Sequence, residues 1–595
     1  MTAIDSHRSS DELTHRQIVT ILVGLMSGMF LAALDQNVVG TAMKTIADEL
    51  HGLDQQVWVT TAYMITSTIS TPIYGKLSDL YGRKKFFLTA IIIFIIGSAL
   101  CSFATSMPML SVFRAIQGLG AGGLFSLALA IVGDIVPPRE RAKYQGYFLA
   151  VFGTSSVFGP IIGGFFSEAP TVIGITGWRW VFLINVPVGI FALVAVTATL
   201  HLAHHKRQAV IDWLGAFTLV VGVVPLLLVA EQGRTWGWGS TNSIIAYVIG
   251  GVGLASFIWA ERRAGDNALI PLRIFTNRAI VIALSGGFVI GAGMFGGMLT
   301  LPQYLQIVHG STPTQSGVQL LPMVLGMMVA SVVSGQLMSR TGQVRIFPII
   351  GVGLMSLTMF LLSRIGADTP WWQLIVLMTM FGLGLGNTMQ PLTLAVQASV
   401  APREIGMATS SATFFRQMGG TLGVAVFLSL LFNTLGDNIK NAFLDAAKTP
   451  EFLSAVRDPA VLANPVNASF VKALSSGDTS VLSGVSSDSS IISQLDPRLS
   501  HPFKVGFSQS MDLVFLVGGI VCLVGLIVLL FMPKIVLSGK SASAQMKADA
   551  RKHTVRDDLT DVAAIEAGGH TMDEIHDDDE DENDPVGGSS LAGLH

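Results

Sequence analysis

The chain has 595 residues, of which 51% are hydrophobic and only 13% charged, and its mean hydropathy is +0.60. Soluble domains carry about 25% charged residues, so a soluble globular body is excluded and a polytopic membrane protein is indicated. The net charge of −3 hides an asymmetry, because the segment after Lys534 is strongly acidic and the rest is net basic; Cys101 and Cys522 lie in apolar runs, so no disulfide framework is implied.

A membrane-crossing helix needs about 20 mostly apolar residues. Fourteen segments meet this, at about 17–39, 55–75, 86–105, 109–133, 144–167, 180–201, 212–231, 242–260, 280–304, 315–338, 347–364, 372–397, 407–432 and 510–532. The polar start "MTAIDSHRSSDELTHRQ" is not expected to be a cleavable leader. With the N-terminus inside, the inner loops hold eighteen Lys and Arg and the short outer loops four: Lys44, Arg179, Arg234 and Arg364. This bias places both termini in the cytoplasm. Residues 433–509 then form a large external loop with a few short helical patterns such as "NIKNAFLDAA". The tail, ending in "HDDDEDENDPVGG", reads as disordered.

The first span contains "MFLAALDQNVVG" (29–40). An ionisable residue inside a span marks a functional site by default. Asp35 is the clearest such carboxylate; Asp54, Asp134, Glu168, Asp212, Glu231 and Asp512 fall near span ends. A carboxyl taken into low dielectric can have its pKa raised by about 3–5 units, which would let Asp35 exchange a proton near neutral pH. The bland alternative is a capped or water-exposed acid at the outer mouth. Arg114, a few residues into the fourth span, would interact with such an acid, or else snorkel or pair structurally.

"GKLSDLYGRKK" (75–85) joins the second and third spans. Gly75 and Gly82 permit close helix contact and a tight turn. Asp79 and Arg83 can lock neighbouring helix ends, with Lys84 beside them; a simple positive-inside anchor is the competing reading. In "GTSSVFGPIIGG" (153–164), Gly153, Gly159, Gly163 and Gly164 leave one helix face without side chains, and Pro160 bends the helix.

Residues 115–140, "AIQGLGAGGLFSLALAIVGDIVPPRE", align without a gap on residues 379–404, "TMFGLGLGNTMQPLTLAVQASVAPRE". Gly118, Gly120 and Gly122 meet Gly382, Gly384 and Gly386. A second pair matches Gly75 and Gly82 with Gly335 and Gly342. The displacement is eight spans, so the copies share one orientation, as in transporters built from parallel halves. The expected organisation is a cytoplasmic N-terminus (1–16), a six-helix bundle (17–201), two inserted helices (212–260), a second six-helix bundle (280–533) containing the external loop 433–509, and an acidic tail (534–595).

The inner loop resembles the G-x-L-x-D-x-x-G-R-[KR] motif of the major facilitator superfamily. "RAIQGLGAGG" (114–123) is similar to its R-x-x-Q-G-x-G motif, and residues 153–164 to its antiporter motif. "WRWVFLINVPVG" (178–189), "IDWLGA" (211–216) and "FFRQMGGTLG" (414–423) resemble the fourteen-span drug:proton antiporters of EmrB/QacA type. The resemblance covers nearly all of 16–533. It implies the major facilitator fold and proton-coupled efflux of hydrophobic, cationic compounds by alternating access, with antiporter-motif packing that seals against proton leak. It departs at Ala42-Met43-Lys44, where the family continues into Ala-Leu-Pro, at Asn37, and at Ser339, which stands where Asp79 stands in the first half. Gln36, Asn37, Tyr63, Gln117, Gln303, Tyr304, Gln390, Phe415 and Gln417 are candidates to line the cavity.

Expected partners are small hydrophobic molecules, protons and the bilayer of the plasma (inner) membrane, with a monomer as the working unit and no nucleic acid. No cofactor or metal is expected: His201, His204 and His205 sit where basic residues belong at an inner helix end, and "GKS" (539–541) lacks the upstream glycine of a phosphate loop. Asn467-Ala-Ser469 matches a glycosylation sequon. Export of one endogenous metabolite or lipid, and a non-transporting sensor with the same fold, are the alternative functions.

Overall fold

A computed structural model describes residues 15–51, 55–200, 212–401, 404–476, 492, 494–535 and 537. The expected disordered tail, His201, His204, His205 and the "GKS" triplet lie outside the described residues. The described chain is almost wholly helical. In order it forms α1 (His15–Glu49), α2 (Gln56–Tyr81), α3 (Arg83–Ser102), α4 (Met107–Ile135), α5 (Pro138–Glu168), α6 (Trp180–Leu183), α7 (Asn185–Thr199), α8 (Trp213–Trp236), α9 (Thr241–Ala264) and α10 (Arg278–Ile307). There follow α11 (Pro313–Gln319), α12 (Leu321–Thr341), α13 (Ile346–Leu362), α14 (Trp371–Gly386), α15 (Met389–Ala398), α16 (Ile405–Ala446), α17 (Pro450–Arg457), α18 (Pro459–Leu462), α19 (Pro465–Ser475) and α20 (Pro497–Leu530). A two-residue antiparallel pair, β1 (Thr171–Val172) and β2 (Ile175–Thr176), precedes α6.

Eleven helices among the described residues are long and apolar enough to cross a membrane. Two shorter apolar stretches, Val151–Ser167 and Ile346–Leu362, fall below that length. The second expected span, in α2, is diluted by the Ser and Thr of "TTAYMITSTIST"; Thr61 Oγ1 has no partner among the described residues, but the hydroxyls of Thr66, Ser67, Thr68, Ser70 and Thr71 bond back to their own helix, as Thr68 does to the Met64 carbonyl at 2.8 Å. That satisfies them without water.

Buried side chains fall into separate cores. Phe87, Phe94, Leu124 and Ile131 belong to a core of α1–α7, and a smaller cluster around Trp178 and Phe182 closes one end of the same helices. Met355, Phe381, Phe427 and Phe515 belong to a larger core of α10–α20 that also takes in Ile65 and Ile69 of α2 and Leu219, Val223 and Leu227 of α8. The glycine repeat has a physical counterpart. Gly118 and Gly122 press α4 onto the backbone of α2, while Gly120 presses it onto α3. Gly382 and Gly386 press α14 onto α12 in the same way, and Gly384 presses it onto α13. At each of these positions a Cβ would collide with backbone or a packed side chain, so each copy uses its glycines to wedge one helix between two others.

Three details depart from the sequence expectation. "NIKNAFLDAA" is not a separate external helix: α16 runs unbroken to Ala446, because Leu435, Ile439 and Phe443 continue its apolar face and are buried. The helix that holds the first span runs past it, the membrane-length apolar stretch itself covering Arg16–Met43. α1 continues to Glu49 because Val38, Val39, Ala42 and Ile46 remain buried, which puts Asp35 in mid-helix.

The antiporter-motif glycines do not share one face. Gly159 and Gly163 lie against Asn37 and Val38 of α1, whereas Gly153 lies against Val324 of α12 and Gly164 looks toward Thr314 of α11. A helix turns by 100° per residue, so positions 159 and 163 share one side and 153 and 164 another. Pro160 meets Gly317 of α11. α5 is thus packed by α1 on one side and by α11 and α12 on the other.

Candidate functional site: a buried carboxylate and a charged latch

Asp35 is fully buried, so it is not an acid at a water-exposed mouth. Three side chains donate to it. Arg114 Nη1 reaches Oδ2 at 2.6 Å. Gln117 Nε2 and Asn185 Nδ2 reach Oδ1 at 2.9 and 2.7 Å. Arg114 and Gln117 are one turn apart on α4, so both point to the same neighbour on α1, and Arg114 also donates to Gln117 Oε1 at 2.7 Å. The Arg114 guanidinium stacks over the Tyr63 ring of α2, 4.0 Å from its centroid. The Asn185 amide donates as well to Ser98 Oγ of α3 at 3.0 Å, and Ser98 donates to the Phe182 carbonyl at 2.9 Å. Five helices thus converge on one carboxylate. An ion pair removed from water is retained only where such hydrogen bonds offset desolvation.

Asn185 and Ser98 were not among the sequence candidates. The signal for Asn185 lay in "WRWVFLINVPVG", where one amide interrupts an apolar run. Its place is set by the break at Ile184 between α6 and α7. Polar atoms around the site stay unsatisfied among the described residues: Arg114 Nε, Tyr63 Oη and Asn185 Oδ1. A buried network with spare donors and acceptors has partners to exchange when the carboxyl gains a proton.

The second cluster lies at the far end of α2 and α4. Arg83 is ion-paired with Asp79 on one side and donates through Nε to Asp134 of α4 at 2.7 Å. Its Nη1 also donates to Ser78 Oγ at 2.7 Å. Asp79 Oδ2 accepts from the backbone N–H of Met407 in the first turn of α16 at 2.7 Å, where a carboxylate is favoured by the helix dipole and by free N–H groups. This bond joins α2 to α16. Gly75 lets α2 lie directly on Ser410 and Gly406 of α16, and Gly406 leaves room for Arg83 and Asp79. Gly82 adopts φ +105°, a conformation that side chains rarely tolerate. Lys84 donates to the Thr197 carbonyl at the end of α7 at 2.8 Å. Asp134, read in the sequence only as an end-of-span acid, is the missing third member of the latch.

The cavity candidates scatter. Tyr63 and Gln117 belong to the Asp35 cluster. Gln36 is exposed, and Asn37 donates to the Ala33 carbonyl at 2.9 Å. Tyr304 is buried and donates to the Gly366 carbonyl at 2.7 Å, and Gln303 Oε1 has no hydrogen-bond partner among the described residues. Gln417 accepts from Thr71 of α2 at 3.4 Å, Phe415 packs edge-on against Phe275 and Phe414, and Gln390 is buried with its amide unpartnered. Among the described residues no group of three His, Cys, Asp or Glu is placed to hold a metal.

Known proteins match this arrangement. The family model "Major Facilitator Superfamily" matches residues 25–424. The multidrug transporter protein MdtP of Bacillus subtilis is 34% identical over 536 residues, covering 89% of this chain and 95% of that protein. Multidrug resistance protein 3 of the same organism is 37% identical over 436 residues, covering 73% of this chain and 84% of that protein. The solved structure of the major facilitator proton:xylose symporter XylE superposes with a TM-score of 0.56 at 14% identity, covering 90% of this chain and all of that one, which supports the fold alone. The chain is therefore a membrane transporter and not an enzyme, and it belongs to the major facilitator superfamily, in the family of drug transporters that includes the two Bacillus proteins.

Proposed function

We propose that the chain is a proton-coupled exporter of small hydrophobic compounds, working by alternating access as a monomer in the plasma membrane. In this reading fourteen helical segments cross the bilayer, both termini are cytoplasmic, and residues 17–201 and 280–533 form two six-helix bundles with 212–260 inserted. The observation that carries it is the fully buried Asp35, held by Arg114, Gln117 and Asn185 from α4 and α7. A proton site needs a carboxylate whose partners change with its charge, and the spare polar atoms beside Asp35, on Arg114, Tyr63 and Asn185, provide for that exchange.

Protonation removes the charge that holds Arg114. α4 carries Arg114 near one end and Asp134 near the other, twenty residues or about 30 Å apart at 1.5 Å per residue. Asp134 holds Arg83, which holds Asp79, which holds the start of α16. A shift of α4 on proton uptake therefore reaches the contact between the halves. Each charge moved through the membrane potential supplies about 2.3 kcal/mol per 100 mV. A cationic substrate meets Asp35 only once the Arg114 pair has opened, because in this structure both carboxylate oxygens are taken up.

The test is efflux of a fluorescent substrate in energised, everted membrane vesicles. Accumulation that collapses on adding a protonophore is expected. Accumulation insensitive to the proton gradient, or none above vesicles lacking the protein, would overturn the reading.

A further inference from the structure

A second arginine inside the membrane region, Arg416 of α16, has no role in the Asp35 cluster or the latch. It lies eleven residues into its helix, about 16 Å along the axis, roughly half the 30 Å hydrocarbon thickness. Its backbone is fixed by packing: Gly419 and Gly423 press α16 onto Phe288 and Ala292 of α10, and Gly291 accommodates the Arg416 carbonyl. Its side chain is half-buried and lines a recess where α10, α15 and α16 meet, with Gly287, Ile290, Thr388, Leu392 and Thr393 among the walls.

The charge balance of this recess is unusual. Arg83 has Asp79 and Asp134, Arg114 has Asp35, and Arg141 donates to the Val136 carbonyl. The Arg416 guanidinium makes no hydrogen bond or ion pair with another described residue, and no acid lines the recess. An arginine at mid-membrane costs at least about 2.5–3.5 kcal/mol on insertion scales; such groups persist where they serve a pathway. The two threonines of the wall donate to carbonyls of their own stretch, Thr388 to Gly384 at 2.7 Å and Thr393 to Met389 at 3.1 Å. The recess is thus apolar apart from one planar fork of N–H donors.

We propose that Arg416 is a substrate-binding residue that anchors an anionic oxygen, a carboxylate or sulfonate, of an otherwise apolar molecule at mid-membrane. Guanidinium matches such groups by paired, charge-assisted hydrogen bonds; the recess as it stands has a volume of about 10 Å³, room for about one water, so the helices around it must part before its apolar walls can take the rest of the molecule. The inference rests on the exporter reading above for its transport meaning and names the substrate class of that site. It also separates the two charges of the cycle. The proton site lies on α1, α4 and α7, and the anion site on α16, so proton and substrate need not compete for one carboxylate. Proton entry and anion exit both run with an inside-negative potential.

The test uses three probes with one apolar body: 2-naphthoate, 2-naphthalenemethanol and 2-naphthylmethylammonium. Binding to the full chain in lipid nanodiscs is measured by calorimetry, with empty nanodiscs subtracted. Wild type is expected to hold the naphthoate roughly tenfold more tightly than the ammonium. Arg416→Gln is expected to erase that preference and Arg416→Lys to keep part of it. Gly287→Leu, at a position whose Cβ would meet nothing within 4 Å, should fill the recess and weaken naphthoate binding with Arg416 intact, which covers the case of a Gln variant that does not fold. Failure of wild type to bind naphthoate, an unchanged preference in Arg416→Gln, or undiminished naphthoate binding in Gly287→Leu would overturn the proposal. No proton gradient is present, so loss of proton-driven efflux with naphthoate binding retained counts against the exporter reading and not against this one.

Discussion

Asn185 illustrates how much a single amide can settle. It stands at the break between α6 and α7, is fully buried, and one Nδ2 group serves both Asp35 and Ser98. Leucine branches at the same carbon with the same number of side-chain heavy atoms and has no donor, so Asn185→Leu removes the hydrogen bonds while keeping the side chain's outline. A hydrogen bond to a charged group is worth about 1.5–3 kcal/mol, and one Asp35 oxygen would keep only Gln117. Efflux of the Asn185→Leu variant is expected to fall roughly tenfold or more at equal protein level, measured as the initial rate in everted vesicles. An unchanged rate would place Asn185 outside the coupling network. Asp35 and Arg114 were legible in the sequence because charge is conspicuous in an apolar run. Asn185 and Ser98 were not, since an amide or hydroxyl among apolar residues is common, and only the tertiary fold shows which of them faces a carboxylate.

At the scale of elements, α5 is a helix shared between α1 and the pair α11 and α12. Gly159 leaves its side of α5 flush against Asn37 of α1, while a Cβ at Gly164 would meet only Thr314 at 3.9 Å. Gly159→Val is therefore expected to separate α1 from α5, costing about 1–3 kcal/mol as overpacking does, whereas Gly164→Ala is expected to be near neutral. Thermal unfolding of both variants in one detergent checks this, and equal midpoints would show that α5 can shift as a unit. The latch makes a different prediction. Asp79→Asn keeps the shape but gives up the charge that favours the α16 N-terminus. Turnover should fall several-fold while substrate affinity in detergent stays within a few-fold; a large affinity loss with normal turnover would contradict a gating role. The sequence showed Asp79 and Arg83 together, but Asp134 lies 51 residues away from Arg83 and Met407 contributes only a backbone N–H. Neither partner has a signature that spacing could reveal.

The whole molecule was readable in outline because membrane spans are written in long apolar runs, and because the glycine repeat at 118–122 and 382–386 marks equivalent helix wedges in both halves. Helix ends were less readable. α16 carries its apolar face to Ala446, into a segment whose aromatic core joins Phe443 to Phe503 at 4.7 Å between ring centroids, and the sequon residue Asn467 is buried there, donating to the Val461 carbonyl and accepting from the Asp496 N–H. The acidic end of the chain makes a separate prediction from composition alone. Few apolar groups are available there to offset ordering, so truncation after Lys552 is expected to leave efflux and thermal stability unchanged. A several-fold change in rate at equal protein level would assign the tail a regulatory role. The proposed exporter depends above all on Asp35 carrying the proton that drives export. Purified protein in liposomes with an internal pH dye measures it directly, by recording substrate-evoked proton movement for wild type and Asp35→Asn alongside substrate binding. The variant is expected to bind substrate within a few-fold of wild type and to move no protons in response to it. Substrate-evoked proton movement in Asp35→Asn equal to that of wild type would contradict it.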